Sequence, residues 1–426
     1  MGQGLWWAQH SSYDFPAFYR AAGLVAHGHS PYLPSHHVDR DFLDGPLVGL
    51  LYAPLSLLSY ETARLTAIAV GLCLVVVSAA LLAATRPHRR VVVGAAFAVV
   101  VLLTVTGRAA LGLGQTTALA LLGYAIWYAA YRRVGLCHDL LAGLAGCLVF
   151  QVKPYLGVPL LLVALVHRRA RLLAVALVSS AATVAAASLL AGQDLVGAWW
   201  HAVLDRQEGA AAGTDQVSVL AAVQHATGHD PALAVALALA AAATGWLVRT
   251  AWQGTDERPL LVAACWPLVA STFLHPQDLV LGCWPLTVLL LDREAATRRW
   301  LCGLLVTVCF LDVWTTMAPQ HDAAYVAGRQ AAYVLPLWLA LVLAGLPARR
   351  AVGALAAALV LALGVPLWVR AGPVEPPWAS GVTLAAGGLL LAVGWLSSSP
   401  AGAGSPRLPR ARGRPSRAAG STTVAP

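Results

Sequence analysis

The sequence predicts an all-α, polytopic integral membrane protein. Of its 426 residues, 59% are hydrophobic and only 11% are charged, and the mean hydropathy is positive. A soluble protein of this length has about 25% charged residues, because its surface faces water. Apolar runs of about 17–25 residues, the length that crosses the hydrocarbon of a bilayer, recur along the chain. Both observations indicate a chain that is mostly embedded in lipid.

The apolar segments follow one another through most of the sequence. They are predicted at residues 63–85, 91–107, 116–131, 139–152, 155–167, 172–191, 231–250, 259–274, 276–291, 300–317, 331–346, 351–369 and 381–396. Several are short, above all the pair that meets at Lys153-Pro154, and tilted, broken or re-entrant helices would account for their length. We therefore expect about 11–13 transmembrane segments.

The basic residues set the expected orientation. Of the 28 Lys and Arg residues, twenty fall in one set of connections, which includes the C-terminal tail, and eight fall in the other. Cytoplasmic connections carry the excess of Lys and Arg in membrane proteins. The sequence therefore predicts a multi-pass protein of the cell membrane with a cytoplasmic C-terminus and an extracytoplasmic N-terminal region.

Three regions follow from this orientation. Residues 1–62 are expected to form a first extracytoplasmic loop, and residues 63–396 a multi-helix transmembrane domain with an extracytoplasmic loop at 192–230. Residues 397–426, rich in Ser, Pro, Gly and Arg, are expected to be a disordered basic cytoplasmic tail near anionic lipid. The net charge of +9 is explained by topology. Nucleic-acid binding is not expected, because no basic stripe is interleaved with aromatic residues.

The unusual polar residues all fall on the predicted outer side. They are Asp14, Arg108, Gln115, Lys153, Asp215, Gln216, His275, Gln277 and Asp278. The opposite side carries little except arginine. This asymmetry predicts a membrane-embedded reaction site that faces away from the cytoplasm.

Asp14 is the first candidate catalytic residue. It lies between Tyr13 and Phe15, and a carboxylate among aromatic residues at a membrane surface is partly desolvated, which makes it a better base. The alternative is an ordinary N-cap of a helix that starts at Pro16.

Lys153 is the only lysine in the chain. Arginine is used wherever positive charge alone is wanted, so the remaining lysine indicates a need for its compact ammonium. An ionisable residue between two apolar runs is a candidate functional residue, typically with an anionic partner. The alternative is an interfacial lysine whose ammonium reaches toward water.

His275 precedes Pro276 between two apolar segments. Proline breaks a helix and frees backbone carbonyls, which is tolerated in membranes where the break lines a cavity. A histidine there can donate to a phosphate or to a sugar hydroxyl. The alternative is a polar hairpin that only joins two helices.

Gln115 follows Arg108 by seven residues and comes directly after Gly114. Glycine permits close backbone approach, and the amide can hydrogen-bond a hydroxyl group. Neither a metal nor another cofactor is expected, because the histidines near His36 lack a recognised ligand spacing.

The order of these motifs resembles that of bacterial polyprenyl-phosphate-mannose-dependent mannosyltransferases, glycosyltransferase family eighty-seven. The resemblance rests on Asp14-Phe15 with Tyr19, Ala21-Ala22, Gly28 and Pro31-Tyr32, then Pro54-Leu55, Gly114-Gln115, Lys153-Pro154, Asp215 to Ser218 and Leu274-His275-Pro276. It spans roughly residues 13–345. No single motif is specific, whereas their succession is.

The resemblance implies a fold of the C-type glycosyltransferase superfamily, with a catalytic carboxylate in the first external loop. It implies inverting transfer of a hexose, usually mannose, from a polyprenyl-phosphate donor, with no obligatory metal. The implied acceptor is a glycolipid or lipoglycan of the cell envelope. A membrane transporter or lipid flippase is the alternative function, because such proteins also carry ionisable residues within helices.

By this resemblance Asp14 matches the catalytic position, and Lys153 and His275 match positions near the donor phosphate. Arg108 and Gln115 join the predicted donor site. The predicted acceptor or loop contacts are Asp215, Gln216, Gln277 and Asp278.

The chain departs from the family pattern at three places. The family has a transmembrane helix before the acidic loop, and we expect that the start of this chain is truncated. A Tyr-Pro-Pro type element is replaced by Asp44-Gly45-Pro46, and an Asn-Gln-Ser element by Asp215-Gln216-Val217-Ser218.

Overall fold

A computed structural model of the chain describes residues 15–32, 42–103, 115–210, 218, 220, 233–253, 258–271 and 275–292. Within these ranges the regular secondary structure is helical, without strands. The prediction of an all-helical protein is confirmed for this part of the chain. The predicted apolar segments after residue 292 and the predicted basic tail lie outside it.

The helices follow the predicted apolar segments closely. In chain order they are α1 (Phe15–Ala26), α2 (Pro46–Tyr52), α3 (Tyr60–Ala84), α4 (Arg90–Leu103), α5 (Thr117–Tyr131), α6 (Leu136–Val152), α7 (Pro154–Val166), α8 (Ala170–Ala191), α9 (Leu195–Ala210), α10 (Leu233–Gln253), α11 (Arg258–Ala270) and α12 (Cys283–Asp292). Short 3₁₀ helices cover Ala53–Leu57, Pro87–Arg89 and Pro276–Gly282.

Two of the described helices, α3 and α8, are each long and apolar enough to cross a membrane. Their outward faces carry exposed aliphatic side chains, including Leu65 and Val76 on α3 and Leu177 and Val178 on α8. Exposed aliphatic side chains in this number are unfavourable in water but not in hydrocarbon.

The centre of the described bundle is formed by α5, which packs against α3 and α6, while α6 packs against α8. Gly143 brings α6 and α8 together, because a Cβ atom at this position would lie 2.6 Å from Val175 Cβ and 2.8 Å from the Leu172 carbonyl oxygen. Small residues permit such close approach of helices in membrane proteins. On the other side of α5, Tyr128 contacts Trp284 of α12 edge to face, with 5.6 Å between ring centroids.

Two helix breaks fall at the prolines where the sequence predicts them. Helix α6 ends at Val152, Lys153 is extended with φ −151° and ψ 110°, and Pro154 begins α7. Proline disfavours a helical conformation in the residue before it. His275 is likewise extended, after the end of α11 at Ala270 and before the 3₁₀ helix that Pro276 begins.

The regions expected as the first and second external loops contain helices. Within 1–62, α1 buries Phe15 and Phe18, and Phe18 packs against Phe42 and Tyr52 with centroid distances of 6.0 and 5.6 Å. Within 192–230, α9 covers Leu195–Ala210. These helices are anchored by aromatic contacts with residues distant in the sequence, which the local pattern does not reveal.

The far end of α6 from Lys153 is joined to the neighbouring helices by Arg169. The guanidinium forms a salt bridge with Asp139 and donates to the backbone carbonyls of Tyr131 and Arg133, each at 3.0 Å. The Tyr131 hydroxyl contacts His167 Nδ1, and His167 Nε2 is 2.8 Å from the Ala251 carbonyl oxygen. We call Tyr131, Asp139, His167 and Arg169 the Arg169 cluster.

Candidate functional site

Lys153 forms a buried ion pair with Asp278. Its Nζ atom donates to Asp278 Oδ1 at 2.5 Å, and the two side chains are 8% and 0% exposed. Lys153 lies at the break between α6 and α7, directly before Pro154. Asp278 lies in the first turn of the 3₁₀ helix that begins at Pro276. A buried ammonium requires such an anionic partner.

Asp278 accepts three hydrogen bonds with its two carboxylate oxygens. Besides Lys153, the Tyr155 hydroxyl donates to Oδ2 at 2.7 Å, and the backbone N–H of His275 donates to Oδ2 at 3.1 Å. In return, the backbone N–H of Asp278 donates to the His275 carbonyl at 3.0 Å. Asp278 therefore ties the lysine directly to the turn that carries His275.

Gln115 and its neighbours extend the cluster on the α5 side. Gln115 Oε1 accepts from Lys153 Nζ at 3.4 Å and from Thr117 Oγ1 at 3.3 Å. Thr116 Oγ1 donates to Asp44 Oδ2. All of these side chains are buried. We call Asp44, Gln115, Thr116, Lys153, Tyr155 and Asp278 the Lys153 network.

The backbone around Asp44 is held by contacts from three other parts of the chain. The Tyr32 hydroxyl donates to the Asp44 carbonyl at 2.8 Å, the Gly45 N–H donates to the Gln151 carbonyl at 2.5 Å, and Trp199 Nε1 donates to the Leu43 carbonyl at 2.9 Å. These bonds fix the Asp44 carboxylate against the network.

The Asp44 carboxylate also acts electrostatically on the tyrosines around it. Burial raises the pKa of Tyr32 well above its ordinary value, and the nearby negative charge of Asp44 raises it further. Asp44 interacts electrostatically with Tyr155 as well, whose hydroxyl bonds Asp278. The two carboxylates therefore belong to one electrostatic environment.

Four of the sequence-predicted site residues meet in this place. They are Gln115, Lys153, His275 and Asp278. Asp278, which we expect to contact the acceptor or a loop, is fully buried and ion-paired with Lys153. The physical reason is that the ammonium cannot be buried without a counter-charge.

The structure does not describe the side chains of the remaining predicted residues. Asp14, Arg108, Asp215 and Gln216 lie outside the described residues, although α1 begins at Phe15, the chain neighbour of Asp14. For Gln277 the structure describes the backbone, which lies in the 3₁₀ helix Pro276–Gly282.

Sequence reasoning missed Asp44, Thr116 and Tyr155 as site residues. Asp44 was noted only as a departure from the family pattern, although a carboxylate directly before Gly45-Pro46 and an apolar run is a signal of burial. Tyr155 directly follows Lys153-Pro154, and its position at the same helix break was a signal that its hydroxyl lies near Lys153. Nothing local to the sequence marks Thr116.

Across the ranges that the structure describes, no three His, Cys, Asp or Glu side chains are grouped so that they could hold an ion. What the network offers is a cation, two carboxylates, an amide and hydroxyl groups in a buried position. Such groups can orient hydroxyls and stabilise an anion without a metal.

The comparison with known families identifies the chain. The sequence model of glycosyltransferase family 87 matches residues 42–276, more than half of the 426 residues. The match includes Asp44, Gln115, Lys153 and His275, and it ends two residues before Asp278. No curated protein and no solved structure matches the chain significantly. The chain belongs to glycosyltransferase family 87, a family of membrane glycosyltransferases.

Proposed function

We propose that the protein transfers a hexose, mannose, from a polyprenyl-phosphate donor to a glycolipid or lipoglycan acceptor of the cell envelope, with inversion at the anomeric carbon. The observation that carries the proposal is the Lys153 network, a buried polar site whose residues, except Asp278, lie within the matched family region. The family supplies the reaction class, while the donor, the acceptor and the sugar are our proposal.

The reaction needs few groups, because cleavage of the anomeric C–O bond of the diester donor releases a polyprenyl phosphate monoester. This leaving group is a weak base and requires no general acid. One task is to remove the proton of the acceptor hydroxyl. We assign this task to Asp14 as general base, a contribution typically of about 10²–10⁴-fold in rate. The acceptor oxygen attacks the face opposite to the phosphate, which produces inversion.

The second task is to stabilise the negative charge of the departing phosphate. Lys153, His275 and Arg108 are assigned to it as preorganised cations and donors in a water-poor cleft. Asp278 supports this role because it holds the Lys153 ammonium and the His275 backbone in one fixed arrangement. Electrostatic interactions are stronger at such a buried position than in water.

The remaining polar residues are assigned to the sugars. Gln115 accepts from the Lys153 ammonium, and its amide can also donate to a donor hydroxyl. Asp215, Gln216 and Gln277 are proposed to contact the acceptor. No cofactor is required by this scheme.

We further propose the C-type architecture with about 11–13 transmembrane segments, an extracytoplasmic active site and a cytoplasmic C-terminus. The proposed regions are the external loop 1–62, the transmembrane domain 63–396 with its loop 192–230, and the tail 397–426. The distribution of twenty against eight basic residues supports this orientation. The family match gives no support to the transporter or flippase alternative.

The test uses membranes that contain the full-length protein, incubated with labelled polyprenyl-phosphate mannose and endogenous acceptor lipids. Mass analysis of the lipids should show a product one hexose heavier than its acceptor. Asp14→Asn should lower the rate by about 10²-fold or more at equal protein abundance. Undiminished transfer by Asp14→Asn would remove the assigned base, and uptake of substrate into vesicles without transfer would favour a transporter.

A further inference from the structure

Gln151 is a buried amide whose hydrogen-bonding groups are unused within the described chain. Its side chain is 0% exposed, and neither Nε2 nor Oε1 has a hydrogen-bond partner among the described residues. Leaving a buried amide unpaired is costly, and such groups in native proteins call for an explanation. A polar ligand that binds beside Gln151 would supply the missing bonds.

The Gln151 side chain lies against the peptide that follows Asp44. A Cβ atom at Gly45 would lie 2.3 Å from Gln151 Oε1 and 2.6 Å from the Gln151 carbonyl oxygen. The backbone of Gly45 has an ordinary φ of −64°, so glycine is required here by space and not by conformation. The absence of a side chain at residue 45 lets the amide reach the neighbourhood of Asp44.

Asp44 contributes a carboxylate to the same neighbourhood. It is 5% exposed, its Oδ2 accepts from the Thr116 hydroxyl, and its charge acts on Tyr155. A carboxylate, an amide and a hydroxyl close together can accept from and donate to the hydroxyls of a neutral polyol. A charged carboxylate makes the stronger of these hydrogen bonds.

The position of this set relative to Lys153 indicates which sugar it would contact. Asp44 accepts from Thr116, the chain neighbour of Gln115, whose amide oxygen accepts from the Lys153 ammonium. The Gln151 side chain lies against Gly45, the chain neighbour of Asp44. In the proposed reaction Lys153 faces the donor phosphate, and the donor sugar is bonded directly to that phosphate. Groups next to Lys153 therefore lie within reach of the donor sugar.

We propose that Asp44 and Gln151 form a subsite that binds hydroxyls of the donor sugar and determines which hexose is transferred. The inference rests on the proposed function, because it requires a lipid-linked sugar donor. It makes Asp44 and Gln151 specificity-determining residues, distinct from the base and from the phosphate-binding cations.

The experiment pairs variants of the full-length protein with donors that lack single hydroxyls. The donors are polyprenyl-phosphate mannose and its four analogues deoxygenated at C2, C3, C4 or C6, and the measured quantity is kcat/KM. With the unaltered protein, one deoxy donor should have a kcat/KM at least about tenfold lower than that of polyprenyl-phosphate mannose, because the missing hydroxyl leaves buried protein groups unpaired. Asp44→Asn should lower kcat/KM for mannose about tenfold and leave that deoxy donor within about twofold.

Gln151→Leu is the second variant, and its unfolding temperature is measured as well as its activity. The subsite proposal and a purely structural role of Gln151 predict changes of opposite sign in this temperature. Replacing an unpaired buried amide by an apolar side chain of similar size should raise the unfolding temperature measured without donor, while discrimination against the same or a neighbouring deoxy donor falls. A lower unfolding temperature would show that the protein itself satisfies this amide, and would overturn the subsite.

The matched control is Glu61→Gln, the same change from a carboxylate to an amide at a side chain that is 68% exposed. It should leave all donor ratios unchanged. Equal losses on all five donors in Asp44→Asn and Gln151→Leu would overturn the subsite and leave the proposed function intact. Failure of the unaltered protein to transfer sugar from any donor would overturn the proposed function and the subsite with it.

Discussion

The Lys153 network and the Arg169 cluster both place a carboxylate beside a cation, at opposite ends of helix α6. Asp139 and Lys153 are separated by roughly 21 Å along the helix, from the rise of 1.5 Å per residue. In the Arg169 cluster the side chains are 17% and 11% exposed, and in the Lys153 network 8% and 0%. Burial of a charge pair alone therefore does not separate the two.

The two regions differ in the hydrogen-bond partners of their cations, Arg169 and Lys153. Arg169 binds Asp139 and the backbone carbonyls of Tyr131 and Arg133, which are carbonyls that a helix end leaves without internal partners. The planar guanidinium suits several such acceptors at once. Its contacts fall within residues 131–169, across successive helices. The Arg169 cluster therefore has a structural role: it holds the ends of neighbouring helices together.

The Lys153 network consists mainly of bonds between side chains, drawn from residues 44 to 278. Only about 10–15% of hydrogen bonds in proteins join two side chains, so a concentration of them is unusual. A contact that only joins helix ends does not require chemically different side chains from distant segments of the chain. The comparison teaches that the choice between backbone and side-chain partners distinguishes a structural ion pair from a candidate site.

The largest expected effect is on transfer by Lys153→Met. Loss of the ammonium should lower kcat by about 10²–10³-fold, because a preorganised charge opposite the leaving phosphate is removed. The lone Asp278 would also destabilise the fold, so Lys153→Met/Asp278→Asn is measured beside it. That double variant should regain unfolding temperature without regaining transfer. Restored transfer in the double variant would show that Lys153 is only structural.

Asp278→Asn alone should have the next largest effect on transfer. The asparagine can still accept from Tyr155, but it no longer neutralises the ammonium, and we expect a fall in kcat of about 10–100-fold. Its loss and that of Lys153→Met should be strongly non-additive, because both act on one contact. Additive losses measured as kcat/KM would contradict the positioning role.

Arg169→Met should lower stability and spare the chemistry. The variant leaves Asp139 without its guanidinium and frees two backbone carbonyls, at a cost of about 2–3 kcal/mol for this partly buried pair. Thermal unfolding in detergent should shift down by several degrees, while kcat per folded molecule stays within about twofold. A selective loss of kcat at unchanged unfolding temperature would assign the cluster a role in catalysis.

The last prediction concerns Gly143→Ala, in the part of α6 between the Arg169 cluster and the Lys153 network, and we expect it to affect stability only. The added methyl group would meet Val175 and the Leu172 carbonyl, and should destabilise the packing of α6 on α8 by about 1–3 kcal/mol. Gly245→Ala is the control, because its Cβ position has no atom within 4 Å. Equal unfolding temperatures of the two variants would argue against the close contact of α6 and α8.

The sequence is sufficient to locate the long apolar helices. The segment predicted at 63–85 is Tyr60–Ala84, and that predicted at 172–191 is Ala170–Ala191. Their length and composition are local properties, and hydrocarbon thickness dictates both. Helices α2 and α9 were not predicted as part of the external regions, and a helix from Pro16 was only the alternative interpretation of Asp14. Contacts such as that of Phe18 with Phe42 stabilise this part of the structure across the chain.

The candidate site was predictable as a set of residues but not as a set of bonds. Lys153 and His275 stand out because they are polar residues at proline breaks between apolar runs. The pairing of Lys153 with Asp278 spans 125 residues, and the contact of Thr116 with Asp44 spans 72. Only the packing of the helices brings such residues together, so Asp44 and Tyr155 were not recognised.

The distance in sequence between Lys153 and Asp278 has a consequence for biogenesis. At about 5–20 residues per second, the ribosome needs roughly 6–25 seconds to add the 125 residues that separate them. Through that interval the ammonium at the end of α6 lacks Asp278 as its counter-ion, and burial of a charge without a partner is unfavourable. The Lys153–Asp278 pair, and with it the complete Lys153 network, therefore forms only after the turn with His275 has been synthesised.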